Sequence, residues 1–144
     1  LKLNKMGTRS LTKVIETYKG EDNRIKKENI VCMYRQYDGY PSGHGKELSD
    51  FLENRRITNG FRMDDMNLKV NNGMGCLGAE LISEFKDGIG NIYVQNPNTK
   101  REWEDFEYII EGSSRHGIKV KVYNFDNKEV FNGSVEDFKK FCDE

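Results

Sequence analysis

Prolines number two, histidines two, cysteines three and tryptophans one in a chain of 144 residues. No apolar run approaches the ~18 residues that a bilayer-spanning helix requires, so no membrane partner is expected. Cys32, Cys76 and Cys142 are odd in number, widely spaced and without a CxxC pair, which excludes a disulfide framework and a zinc knuckle. Three buried free thiols in a reducing compartment are the expectation. Two histidines without an HExxH spacing leave no basis for a metal, and no cofactor is expected either. Charge of one sign is also missing: 23 Lys plus Arg stand against 24 Asp plus Glu. That balance argues against a protein held mainly by phosphates and makes nucleic acid an unexpected partner, with a local basic patch left open. Leu1–Lys5 carry no apolar signal segment, so a cytoplasmic location is expected. Met6-Gly7 reads as a natural start, with residues 1–5 as an upstream extension.

What the chain does have is bulk. Eight Phe and seven Tyr supply a core for one domain over residues 6–144, which should bury roughly 70% of its unfolded surface. Arg9–Tyr18 and Glu28–Tyr37 read as strands around the turn cluster Gly20–Asn23. The continuous apolar run Ile30–Tyr34 predicts a strand covered on both faces. Leu48, Phe51 and Leu52 recur at helical spacing, with Ser42 or a neighbour as cap. Thr58–Asn72 reads as an irregular excursion. A second helix is predicted from about Gly75 to Gly88, with Leu77, Leu81 and Phe85 on one stripe. Asn91–Gln95, Glu104–Glu111, Ile118–Val122 and Glu129–Asn132 follow as strands, the last two joined by a hairpin at Asp126-Asn127. Ser134–Asp137 opens a short terminal helix through a capping-box variant. The order lacks strict βα alternation, so an α+β domain is expected: a mostly antiparallel sheet of five to six strands with two to three helices.

The densest chemistry lies between the second strand and the first helix, from Tyr34 to Lys46. A glycine-rich strand-to-helix turn can aim backbone N–H groups and the positive helix end at one anion. In that reading the backbone of Gly43 and Gly45, with Ser42, Arg35 and Lys46, holds an anionic or nucleotide-like molecule. Tyr37 or Tyr40 stacks against it, Asp38 shapes the turn, and His44 orients the ligand as a neutral imidazole disfavoured from protonation by the helix end. The competing reading makes the corner architecture alone, in a domain that serves protein interaction or structure. A hydrolase or transferase using His44 with Asp38 ranks third.

Other motifs are weaker. Tyr40 and Glu47 occupy the decisive positions of a P-loop pattern and exclude a Walker-type NTPase. Gly73-Met74-Gly75-Cys76-Leu77-Gly78-Ala79 matches the dinucleotide-binding GxGxxG(A) string. Its preceding segment is short and polar, however, and Gln95 and Asn96 stand where an acid should grip the ribose, so a glycine-rich lead-in to a packed helix is expected. Asp64-Asp65 reads as a solvated pair, and Arg115-His116 as a loop or an addition to a site. Lys128–Asn132 is an edge strand that either pairs with a second copy or lies under the terminal helix.

Met6-Gly7-Thr8-Arg9-Ser10-Leu11-Thr12, together with Met33–Gly45 (MYRQYDGYPSGHG), resembles an uncharacterised family of small phage-associated and environmental bacterial proteins. The resemblance covers mainly the first third of the chain and carries no established activity. It implies an accessory protein that binds a host protein or sequesters a host metabolite.

Overall fold

The structure, a computed structural model, describes residues 7–64 and 69–144. The chain order is β1 (Ser10–Lys19), β2 (Ile25–Arg35), a single π-helical turn (Pro41–Gly45), α1 (Lys46–Leu52), β3 (Arg56–Thr58), β4 (Val70–Asn72), α2 (Gly73–Phe85), β5 (Ile92–Gln95), β6 (Phe106–Ser113), β7 (Gly117–Tyr123), β8 (Glu129–Gly133) and α3 (Val135–Cys142). Six strands form one sheet in the order β5-β2-β1-β6-β7-β8, antiparallel except where β1 runs parallel to β6. The α+β reading therefore holds, with three helices among the described residues.

Alternation decides which side of the sheet meets the helices. Val14, Met33, Tyr108, Ile110, Val120 and Val122 point to one face and pack with Leu48 and Leu52 of α1, Leu77 and Leu81 of α2 and Phe138 of α3. Each fully buried side chain of this size contributes about 1.5–3 kcal/mol. Leu11, Cys32 and Tyr34 point to the opposite face and form a second, smaller cluster. Trp103 packs edge-on against Tyr34, and Asn98 accepts a bond from Asn29, so residues 96–105 run as a strap over β2. The strap on one side and the helices on the other explain the continuous apolar run in β2. Ile30 is an extra residue there: the register steps from Val14↔Val31 to Ile15↔Asn29.

Turn chemistry matches the sequence where a left-handed residue is required. Asn23 and Asn127 take φ of 65° and 62° in their hairpins. Ser134 caps α3 by accepting from the Asp137 amide at 3.1 Å, with Glu136 and Asp137 in the first turn and Lys139 and Lys140 in the last.

Two expectations need correction. The stretch read as irregular, Thr58–Asn72, holds the last residue of β3 and all of β4, a small parallel pair registered Arg56↔Val70 through Thr58↔Asn72. Three-residue strands with one buried apolar side chain, Ile57, carry too few alternations to register as a period. Ser42 does not cap the first helical segment: Pro41 opens it behind Tyr40, and no side chain caps it. Proline suits that position because its missing N–H would have needed a partner.

Candidate functional site

The strand-to-helix corner closes on itself. Asp38 adopts φ 59°, and the turn that follows folds its own amides inward. His44 N–H donates to the Asp38 carbonyl at 2.7 Å, while those of Gly43 and Gly45 donate to the Tyr40 carbonyl at 2.9 and 3.4 Å. Gly39 N–H donates to Thr8, and the Gly39 carbonyl accepts from the buried Tyr108 hydroxyl at 2.7 Å. The amides that an anion would need are therefore committed.

The side-chain charges are committed as well. Arg35, only 8% exposed, donates from Nε to the Tyr37 carbonyl at 2.7 Å and from Nη1 to Glu47 at 2.7 Å. Lys46 faces Asp143 at 3.6 Å. A cleft of about 380 Å³ at the corner brings together Arg35, Asp38, Tyr40, Ser42, Gly43 and Lys46, but also Glu47 and Asp50. Three carboxylates against two cations make a poor anion cradle. Tyr37 lies outside that lining and is half exposed, whereas His44 and Gly45 are buried.

His44 is wholly buried, with both ring nitrogens occupied. Arg35 Nη1 lies 3.0 Å from Nδ1, and a guanidinium only donates, so Nδ1 is the acceptor. Nε2 then carries the proton and donates to Thr12 Oγ1 at 2.6 Å. Burial, reinforced by the Arg35 charge, pushes the imidazole down to about 3. Neutrality was foreseen, but its cause is burial and not the helix end. With Phe85 and Tyr108 packed edge-on at 5.2 and 5.1 Å, the ring has no face left for a substrate. The idea of a hydrolase or transferase using His44 does not survive that placement.

A different cavity opens at the far end of the sheet. β1 and β6 are parallel, so their carboxyl ends lie together, and the hairpin after β6 and the first residue of α2 both reach them. The cavity measures about 610 Å³, with Lys19, Arg115 and His116 as its basic groups, Glu16 as an acid, and Thr17, Thr58, Ser113 and Ser114 as hydroxyls. Tyr18 and Ile25, 44% and 56% exposed, add apolar wall. Ser113 Oγ accepts from the His116 amide at 3.0 Å and sits 3.1 Å from His116 Nδ1, which fixes the imidazole at the rim.

The GxGxxG string leads into this cavity. β4 precedes it directly and is, as the sequence indicates, short and polar. Gly73 takes φ 85°, and Asn72 gives its side-chain oxygen to the Gly60 amide instead of capping α2. A Cβ on Gly73 or Gly75 would meet nothing within 4 Å, whereas one on Gly78 would lie 2.7 Å from Val31 Cγ2. Two glycines thus leave the start of α2 open, and the third lets the helix sit close on β2.

Comparison with protein families, with curated proteins and with solved structures finds no match to this chain.

Among the described residues no group of three or more His, Cys, Asp or Glu is placed to hold a metal. Asp64 is exposed, and Asp65 lies outside the described residues. Cys32 and Cys142 are buried, with burial the main cause pushing their thiols up to about 11 and about 12, but Cys76 is exposed in the first turn of α2. That corrects the expectation of three buried thiols. No helix among the described residues is long and apolar enough to cross a membrane.

Proposed function

We propose that the protein binds a small anionic, nucleotide-like molecule in the cavity at the carboxyl ends of β1 and β6, not at the glycine-rich corner. The observation that carries this reading is the wall of that cavity: Lys19, Arg115 and His116 against a single carboxylate, Glu16, around about 610 Å³. That volume falls within the range typical of small-molecule sites, about 300–1,000 Å³. The uncapped start of α2 adds amide donors on the same side, and Tyr18 with Ile25 offers a surface for a planar ring.

The test is a thermal-shift series with inorganic phosphate, a nucleoside monophosphate and the matching nucleoside. A ligand at ~100 times its dissociation constant stabilises by about 2.7 kcal/mol. The expected result is a shift for the monophosphate that Arg115→Ala abolishes and Lys46→Ala leaves intact. Gly75→Asp provides a second check: the carboxylate suits the first turn of a helix, so the fold is retained while the anion is repelled. Loss with Lys46→Ala and not Arg115→Ala would return the ligand to the corner. No shift with any probe would overturn ligand binding in favour of a domain for protein interaction.

A further inference from the structure

The sheet has a second face that no described helix covers. Its composition differs from that of the molecule as a whole. Lys13 of β1, Lys27 of β2 and Lys121 of β7 converge on two glutamates of β6: Lys13 on Glu107 at 2.7 Å, Lys27 and Lys121 on Glu111 at 3.0 and 3.4 Å. Lys119, opposite Glu111 in the β6–β7 register, shares the face and is exposed. Four lysines therefore stand over two glutamates, which are themselves only 9% and 8% exposed. Lys27 and Lys119 carry the exposed ammonium groups, whereas Lys13 and Lys121 lie largely buried against the glutamates they pair with. Glu104, beside Cys32 and Tyr34, and Glu129, opposite Tyr123, add carboxylates to the same side, so the face is mixed in charge with Lys27 and Lys119 as its exposed cations.

Aromatic rings border the same face. Tyr34 of β2 is nearly buried; Tyr93 of β5 and Trp103 of the strap flank it with centroids 6.0 and 5.9 Å away, each about half exposed. Arg9 lies 4.9 Å over the Trp103 ring. The acids next to Trp103 are partly engaged, since Asp105 accepts from the Arg9 amide at 3.0 Å and Glu104 from the Glu102 amide at 3.1 Å.

We infer that this face binds single-stranded nucleic acid, with bases on Tyr93 and Trp103 and phosphates on the exposed Lys27 and Lys119. The combination is what an unpaired strand needs: rings for bases of any identity, and exposed cations on the same face for the backbone. The formal charge balance does not oppose it, because stacking carries much of the affinity and Lys27 and Lys119 are exposed on this side. A duplex is not the occupant, because its bases are already stacked on one another. The inference is independent of the cavity ligand, since none of these residues lines that cavity.

Trp103 is the chain's single tryptophan, so its fluorescence reports directly on the site. Short oligo(dT) and oligo(U) are expected to quench it, with affinity that falls as salt rises. Anisotropy of a labelled oligo(dT) then follows variants that lack the fluorophore. Trp103→Ala should weaken binding about five- to hundredfold, and Lys119→Gln, which removes an exposed cation, should lower the salt slope by about one. Glu102→Gln, which removes an exposed carboxylate beside the ring, should tighten it; Arg115→Ala should have no effect. Melting curves confirm that each variant is folded. Absence of oligonucleotide binding, equal binding of a duplex, or binding unchanged in Trp103→Ala would overturn the inference. So would an oligoglutamate that binds as tightly as oligo(dT), which would assign the face to acidic peptides.

Discussion

The imidazole of His44 joins three elements at once: it donates to Thr12 of β1 at 2.6 Å and accepts from Arg35 of β2 at 3.0 Å, while its backbone belongs to the π-helical turn. The stretch from Tyr34 to Lys46 is thereby a structural joint, and the protonation state of His44 bears on folding.

Stability should fall as pH drops below about 6.5. The folded imidazole is pushed down to about 3 against an ordinary value of 6.5, so the unfolded chain binds a proton that the folded one refuses. The contribution is fully present above pH 6.5 and is lost progressively towards pH 3, amounting to about 2 kcal/mol by pH 5. Urea unfolding at pH 7, 6 and 5 measures it before most carboxylates titrate. His44→Asn, compared over the same range, should flatten the slope, and an unchanged slope would place the proton uptake elsewhere.

Glycine substitutions should divide sharply by place. Gly45→Ala puts a methyl 2.9 Å from Cys142 Sγ and 3.3 Å from the Tyr108 ring, and Gly43→Ala puts one 2.6 Å from the Asp38 carbonyl. Each should cost about 1–3 kcal/mol through overpacking. Gly75→Ala meets no neighbour and lies within a helix, so it should stabilise by about 0.5–1 kcal/mol. Denaturation midpoints of the three variants decide the matter, with equal effects the outcome that fails.

One thiol per folded chain should react with a disulfide reagent. Cys76 is exposed, and its sulfur accepts from the Asn71 amide group at 3.3 Å; Cys32 and Cys142 are at most 1% exposed. A Cys76→Ser variant should show no fast phase, and denaturant should release the remaining two thiols.

Glu111→Gln should destabilise the fold by about 1–3 kcal/mol, since two lysines lose the charge they converge on. Burial raises the Glu111 carboxyl, but bonds and charge from Lys27 and Lys121 outweigh it and hold the group below its usual value. Its contribution is therefore present above the ordinary carboxylate range and lost as pH falls through the lower folded value. The difference between wild type and variant should shrink on acidification, and a constant difference would assign the effect to packing.

Much of the fold was legible because its period was regular. Tyr108 and Ile110 on β6, and Val120 and Val122 on β7, alternate in the sequence and line the helix-covered face. The parallel pairing of β1 with β6 was not legible, because Ser10 and Phe106 are opposite each other across 96 residues with no local signal. At the corner, composition was readable but not commitment: nothing in the sequence shows that Glu47 takes Arg35 or that Tyr40 absorbs the amides of Gly43 and Gly45. The cavity was harder still. Its wall gathers Lys19, Thr58, Gly73 and Arg115 from four separate stretches, and only the GxGxxG string and the Arg115-His116 pair were visible beforehand.

The pairing of β1 with β6 divides the sheet into two antiparallel halves: β6-β7-β8, consecutive in the chain, and β5-β2-β1, interrupted between β2 and β5 by the π-helical turn, α1, β3, β4 and α2. During synthesis the first half, with α1 and α2, can assemble before Phe106 emerges. Val14 on one side and Leu11 on the other would then border an open strand edge awaiting β6. The second half acts as a late-arriving lid on that edge, so the interval between the two is when the nascent chain is most exposed to pairing with a stranger.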